Sequence, residues 1–170
     1  MACSGRRFAP PLMLSVSWTE RYPAMSPSED TNEATRCEWR TLGFFYDRDD
    51  RTRKWRLVGS LDGLQSFVAI LRAYGRDPRN ARQSEHDHYG PYMYLKVMTW
   101  PDPGIDGDAI YGSLGDLIRL AGLIEQRLQK ATPGDTFGIA DAYTRGCEYD
   151  LVFEVADAGF DPATADPCLV

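Results

Sequence analysis

The sequence has few of the residues that cross-link or anchor small proteins. Its four cysteines form no C-x-x-C pair and lie far apart, so neither a zinc knuckle nor a dense disulfide framework is expected. No apolar run approaches the roughly 20 residues that a membrane helix requires. These absences favour a cytoplasmic protein with no membrane contact, in which the following cysteines are free thiols: Cys3, Cys37, Cys147 and Cys168.

Complete catalytic motifs are also missing. The chain has no G-x-S-x-G, no Walker loop and no G-x-G-x-x-G. Cys147 has no base nearby in sequence, and Ser60 and Ser113 are better explained as helix caps than as nucleophiles. We therefore assign no catalytic residue and expect a protein that is not an enzyme.

The chain lacks a surplus of basic residues. Its 19 Lys and Arg stand against 25 Asp and Glu, for a formal net charge of -6. This balance disfavours direct nucleic-acid binding, which depends on a basic surface. Residues 133–170 hold eight acidic residues and one base, Arg145, whereas residues 36–82 hold eleven Arg or Lys. So uneven a distribution can steer a basic protein partner, although solvated surface charge is the simpler interpretation.

The length of 170 residues suits one domain. Residues 1–37 are predicted to be a disordered N-terminal leader, and residues 38–170 a single α+β domain. Arg6 and Arg7 precede an apolar stretch, but Pro10 and Pro11 break it, which argues against a signal peptide. Because a polar segment follows Met25, we hypothesise that Met25 is the natural start.

Hydrophobic patterning predicts the order ββα-β(β)α-ββ. The two helices begin after Ser60 and Ser113, and Asp116 completes a capping box with Ser113. The predicted fold is an α+β fold with an antiparallel or mixed sheet of about five strands and two helices packed on one face. The strands are predicted at residues 39–46, 54–58, 92–100, 136–143 and 148–155, with a short addition at 109–111.

The two predicted helices begin in segments of similar sequence. Residues 59–64 read Gly-Ser-Leu-Asp-Gly-Leu, and residues 112–117 read Gly-Ser-Leu-Gly-Asp-Leu. This similarity indicates either a duplicated structural unit or the same helix N-cap sequence used independently at two places. The strand segments do not match, which favours the second interpretation.

The densest group of chemically capable side chains lies in the predicted loop at residues 76–91 and just beyond it. Both histidines occur there, each beside a carboxylate, and tyrosines follow. Loop aromatics beside charges are typical of binding hot spots. The partner-binding candidates in this block are Glu85, His86, Asp87, His88, Tyr89 and Tyr92.

The His86-x-His88 pair has three possible roles. Both imidazoles lie on one side of an extended chain, so they suit zinc or another divalent transition metal, completed by a remote Asp, Glu or Cys147. Alternatively, His88 acts as a general base. In the third interpretation the rings only hydrogen-bond the loop to the sheet.

Carboxylates in the turn-rich tail are further partner-binding candidates. Asp157 and Asp161 lie between glycine and proline residues, where aspartate is ordinary turn chemistry. Calcium is the alternative ligand, but the spacing does not fit a helix-loop-helix site.

Over residues 38–157 the chain resembles the immunity proteins of bacterial polymorphic toxin systems. The likeness rests on a small acidic α+β domain, a helix opened by Gly-Ser-Leu, and the Glu-His-Asp-His-Tyr-Gly-Pro-Tyr block at residues 85–92. It implies a non-catalytic inhibitor of a basic toxin, such as a nuclease, and no functional residue is carried over. The alternatives are a hydrolase that uses His86 and His88, and a regulatory small-molecule binder with its pocket beneath residues 76–91.

Overall fold

A computed structural model of the chain describes residues 28–169, which form an α+β fold. The helices are α1 (Glu29–Leu42), α2 (Leu61–Arg76), α3 (Leu114–Leu128) and α4 (Ala140–Tyr143), with 3-10 turns at Pro78–Ala81 and Pro162–Ala165. The strands are β1 (Phe45–Asp49), β2 (Lys54–Gly59), β3 (His86–Tyr89), β4 (Leu95–Thr99), β5 (Gly104–Ile105), β6 (Ile110–Gly112), β7 (Thr136–Gly138) and β8 (Asp150–Val155).

Helix α1 occupies a segment predicted to be the end of a leader and the start of a strand. The Ser28 side chain accepts a hydrogen bond from the Thr31 amide, and Gly43 ends the helix at φ +89°. Trp39 is its one buried residue, so the helix depends on tertiary packing rather than on a strong apolar stripe. The remainder of the predicted leader, residues 1–27, lies outside the described part of the chain.

The described strands form two four-stranded sheets, so the prediction of one sheet of about five strands is wrong. The first sheet has the order β1-β2-β8-β7 and the second the order β3-β4-β6-β5. In each sheet the central pair is parallel and both outer pairs are antiparallel. The edge strands β3 and β5 lie in segments that were predicted to be loops. The sequence gives no strand pattern there, because β3 is polar and β5 has only two residues.

Two other predicted strands are shorter than expected. The strand predicted at residues 92–100 begins only at Leu95. The strand predicted at residues 136–143 stops at Gly138, and the chain then turns into α4. Residues 92–94 are apolar but exposed, whereas Ile139, Ala140 and Tyr143 are buried without being in a strand. Periodicity alone distinguishes neither case from a strand. The Ser60 cap of α2 and the capping box of α3 are as predicted. The strand predicted at residues 39–46 lies instead at Phe45–Asp49, where it pairs with β2.

The topology divides residues 45–155 into two structural repeats of the form ββαββ. The first repeat is β1-β2-α2-β3-β4 and the second is β5-β6-α3-β7-β8. Exchanging the repeats converts the order of one sheet into the order of the other. The registers agree as well, since Gly59 lies opposite Val155 and Gly112 lies opposite Thr99. Both helix starts thus occupy equivalent positions, which favours a repeated unit over two unrelated caps.

The core lies where the two repeats meet. Helix α2 packs on α3, and it also contacts β2 and β8, whereas α3 contacts β6. A Cβ at Gly75 would lie 2.7 Å from Cγ1 of Ile118, so glycine permits this close helix crossing. Arg72 and Glu125, at equivalent positions of the two repeats, form a two-pronged ion pair with N–O distances of 2.9 and 2.7 Å.

Candidate binding groove and hairpin

The two histidines lie on β3, an edge strand, rather than in a loop as predicted. Their side chains are exposed and share the outer face of the second sheet. In the β3–β4 register His86 lies opposite Met98 and His88 lies opposite Lys96. The ring centroids are 5.2 Å apart. The pairing of the two imidazoles on one side of an extended segment is therefore as the sequence predicted.

Each histidine ring is tied to the backbone through Nδ1. This atom lies 2.9 Å from the Ser84 carbonyl oxygen in His86 and 2.6 Å from the Met93 carbonyl oxygen in His88. A carbonyl oxygen only accepts hydrogen bonds, so Nδ1 must be the protonated donor in both rings. In the neutral ring Nε2 then keeps its lone pair.

The other predicted contact residues of this block differ in accessibility. Glu85 and Asp87 are exposed, whereas Tyr89 is half-buried against the core. The Tyr89 hydroxyl donates to an Asp87 carboxylate oxygen at 3.3 Å, and burial together with this carboxylate raises the pKa of Tyr89. Tyr89 thus supports the hairpin, and Glu85 and Asp87 remain accessible at the sheet edge.

The connection between β3 and β4, residues 90–94, forms an exposed hairpin tip. Tyr92, Met93 and Tyr94 expose 37, 55 and 67% of their surface, and Ile118 is the only other large hydrophobic side chain in residues 28–169 that is classed as exposed. Met93 adopts a positive φ of 58°, which costs energy in a residue other than glycine. The bond from His88 to the Met93 carbonyl holds this conformation.

The hairpin tip forms one wall of a groove of about 460 Å³, which we call the aromatic groove. Its other walls come from α1, β1, β2 and the segment after the last 3-10 turn. The groove lies beside the tip and not beneath residues 76–91, where the sequence placed a pocket. Its lining residues are Trp39, Phe45, Tyr46, Asp47, Arg48, Trp55, Tyr92, Tyr94, Asp166, Pro167 and Cys168.

Five aromatic rings run in a continuous row along the groove. Successive centroids are 6.0 Å apart from Tyr94 to Tyr92, 6.1 Å to Trp39, 5.1 Å to Tyr46 and 6.4 Å to Trp55. These separations are typical of favourable tilted or edge-to-face contacts. The row leads from Tyr94, which is exposed, to rings that are almost fully buried. Tyr94 and Tyr92 are therefore the rings of the row that a docking group can contact, and the buried rings support them.

Asp166 is the polar centre of the groove, and it is only 1% exposed. One of its carboxylate oxygens accepts from Trp39 Nε1 and from the Tyr92 hydroxyl, both at 2.7 Å. The other accepts from the Cys168 amide at 2.9 Å. Burial and the Asp166 carboxylate raise the pKa of Tyr92, so its hydroxyl stays protonated as a donor. Asp166 thereby joins α1, the hairpin tip and the end of the described chain.

Charged side chains at the groove's rim are held in place by neighbours. The Arg48 guanidinium lies 5.8 Å from the Trp55 ring centroid, donates to the Gly107 carbonyl and pairs with Asp50 at 2.7 Å. Asp47 pairs with Arg56 at 3.2 Å. The rim therefore offers one charge of each sign to a bound group.

Most of the acidic residues in residues 133–169 have internal partners. Asp161 accepts from Arg40 at 2.8 Å, and this hydrogen bond lowers the pKa of Asp161. Asp135 caps a turn, Asp150 accepts backbone amides, and Glu154 pairs with Arg56. Asp161 thus has an intramolecular partner, and its role as a contact residue stays a prediction. By contrast, Asp141, Glu148 and Asp157 are exposed.

The sequence located the histidine cluster, in a predicted loop, but missed most of the groove. Tyr92 is the one predicted contact residue that lines it, and Asp157 does not. Trp39 and Trp55 read as ordinary core residues, and Asp166 before Pro167 read as a turn. No local signal connects these positions, because the groove combines segments up to 127 residues apart.

The remaining reactive side chains of the described residues are possible metal ligands and thiols. Among residues 28–169, no group of three or more His, Cys, Asp or Glu is arranged to hold a metal ion. Cys37, Cys147 and Cys168 are free thiols, and burial raises the pKa of Cys147; Cys3 lies outside the described residues. In the same part of the chain, no helix has both the length and the apolar character needed to cross a bilayer.

Comparison of the chain with family models, curated proteins and solved structures gave no significant match. The resemblance to immunity proteins therefore stays a prediction. What the geometry defines is an exposed aromatic tip on a hydrogen-bonded hairpin, beside a groove.

Proposed function

We propose that this protein is a non-catalytic binding protein, and that it docks a protein partner at the hairpin tip and the aromatic groove. The observation that carries the proposal is the exposed Tyr92-Met93-Tyr94 triplet, in which Met93 has a positive φ and the two tyrosines begin the aromatic row. Tyrosine is enriched at binding hot spots because it supplies contact area at low entropic cost.

The strain at Met93 supports the proposal. A positive φ in an exposed methionine contributes nothing to the core, yet the His88 ring and the Gly90 carbonyl both bond to Met93 to keep it. Strained backbone of this kind clusters at functional sites, where it pre-organises contacts. A tip whose conformation is already set loses less entropy on binding than a flexible loop.

The partner that we propose is a basic protein, which the chain inhibits as the resemblance to immunity proteins implies. The net charge of -6 and the exposed carboxylates of Glu85 and Asp87 at the edge of the hairpin support a basic partner. Such complementarity accelerates association and makes it sensitive to salt. In this proposal Tyr94 and Tyr92 provide the apolar anchor, and the carboxylates provide the steering.

The test starts with affinity capture on the immobilised full-length protein from extracts of its own cells. We expect capture of a basic protein, whose affinity is then measured with purified components by titration calorimetry. Tyr94→Ala is expected to weaken binding at least about tenfold, as hot-spot truncations do. Ile118→Ala is the matched control, because Ile118 is as exposed as Tyr92 but lies on α3.

Two outcomes would reject the proposal. One is capture of no basic protein by the native chain. The other is a purified complex to which Tyr94→Ala and Ile118→Ala bind equally well. Because Tyr94 is largely exposed, loss of binding in Tyr94→Ala is not explained by unfolding, and the unfolding midpoint of each variant checks this point.

A further inference from the structure

We propose that His86 and His88 form a two-histidine site for a divalent late transition metal ion, Zn²⁺ or Cu²⁺, on the outer face of β3. The site is distinct from the aromatic groove, and its existence does not depend on the proposed partner. Imidazole is a preferred ligand of both ions.

The ring separation fits shared coordination. An ion bound to Nε2 at about 2.0–2.1 Å lies roughly 3.2 Å from the ring centroid, so two rings in a tetrahedral arrangement have centroids about 5.2 Å apart. The observed separation of the His86 and His88 centroids is 5.2 Å. The two rings thus have the centroid separation expected for two imidazoles that share one ion.

The hydrogen bonds of the rings also fit. Metal-binding histidines characteristically donate their other ring N–H to a carbonyl or carboxylate, which fixes the tautomer and orients the ring. His86 and His88 both do so, through Nδ1 to the Ser84 and Met93 carbonyls. Two separate backbone acceptors leave the same atom, Nε2, available in both rings.

The neighbours on this face set the strength and selectivity of the site. Lys96 lies opposite His88, and its positive charge opposes a bound cation. Met98 lies opposite His86 and offers a soft thioether on the same face. Two protein ligands leave positions for water or for a donor from a bound partner. Copper should bind more tightly than zinc, following the usual order of divalent ions.

The experiment is calorimetric titration of the full-length protein, without a histidine tag, with ZnCl₂ and with CuCl₂. Replacement of Cys3, Cys37 and Cys168 by serine in the reference protein removes three of the four thiols, and Cys147 is kept because it packs against the core. We expect one ion per chain, with affinity reduced at least about tenfold in His86→Ala and in His88→Ala. Lys96→Gln should tighten binding, and Asp87→Asn should weaken it far less than either alanine substitution, because the Asp87 carboxylate lies on the opposite face of β3 and does not reach the ion.

A second measurement separates coordination from any loosening of the hairpin. Zinc should shift the Nε2 resonances of both histidines in nitrogen NMR spectra, while both Nδ1 atoms keep their protons. The proposal is overturned if the reference protein binds no ion, if neither alanine variant weakens binding, or if Asp87→Asn weakens it as much as His86→Ala.

Discussion

The hairpins β3–β4 and β7–β8 occupy equivalent positions in the two repeats but connect their strands differently. The β7–β8 connection turns into α4 and buries Tyr143, whose hydroxyl donates to the Tyr111 carbonyl at 2.7 Å. The β3–β4 connection instead exposes the apolar triplet at residues 92–94. The same topology therefore has a buried, stabilising connection between β7 and β8 and an exposed connection between β3 and β4.

The strands themselves do not account for this difference. Leu95 and Val97 of β4 are fully buried, as are Leu151 and Phe153 of β8. The second strand of each hairpin therefore serves the core in both repeats, and only the connection has diverged. A tip freed from core packing is able to carry a binding surface, because changes there cost little stability.

The largest expected effect concerns the buried connection. Tyr143→Ala should lower the free energy of unfolding by about 3–5 kcal/mol, the usual cost of emptying a buried aromatic site. Tyr94→Ala, in the equivalent connection, should change it by less than about 0.5 kcal/mol. Urea denaturation of both variants measures the contrast, and similar losses in the two would remove the distinction between the connections.

The next effect concerns the tie between the hairpin tip and the C-terminal segment. Asp166→Ala leaves Trp39 Nε1 and the Tyr92 hydroxyl without their acceptor, which should cost about 1–3 kcal/mol for each donor that stays buried. Asp166→Asn retains one acceptor oxygen and should cost less. Denaturation followed by Trp fluorescence tests this order, and an alanine variant as stable as the native chain contradicts it.

A smaller effect tests the equivalence of the repeats directly. Ser84 and Gly134 both have positive φ, 69° and 94°, and their amides donate to Thr99 and Val155 at corresponding ends of β4 and β8. Gly134→Ala should cost about 1 kcal/mol, whereas Ser84→Gly should be neutral or stabilising by up to about 0.5 kcal/mol.

Gly122 provides the matched control for this pair. It lies within α3, and a Cβ there would meet nothing within 4 Å, as at Gly134. Gly122→Ala should therefore stabilise the chain by about 0.5–1 kcal/mol, because only the backbone conformation differs between the two sites. Destabilisation at both glycines would show that positive φ is not the cause.

The smallest effect is a pH dependence at the Arg40–Asp161 contact. The hydrogen bond from Arg40 holds the pKa of Asp161 below its usual value, so the pair stabilises the fold above the unfolded-state pKa of about 3.9. This contribution is lost as the pH falls through the lowered pKa. The difference in urea midpoint between the native chain and Asp161→Asn should therefore be larger at pH 6 than at pH 2, and should shrink with salt. A difference independent of pH would contradict this role, and the exposed Asp157→Asn is the control.

Local patterns in the sequence were sufficient for α2, α3 and strand β2. Serine caps and a helical apolar stripe specify the two helices within about 15 residues, and the α+β class follows from the order of helices and strands. The histidine cluster is apparent from the sequence, because His86, His88 and Tyr92 lie close together in the chain, but its segment was predicted to be a loop and not a strand.

Tertiary structure decided the rest, because the remaining features depend on contacts between distant segments. Helix α1 has one buried residue, Trp39, whose partner Asp166 is 127 residues away. Strand β3 is polar and becomes a strand only by pairing with β4. The division into two sheets arises from exchange of hairpins between the repeats, and periodicity within one segment carries no information about its partner strand. The aromatic groove exists for the same reason: its rings belong to separate elements and become a surface only when these pack together.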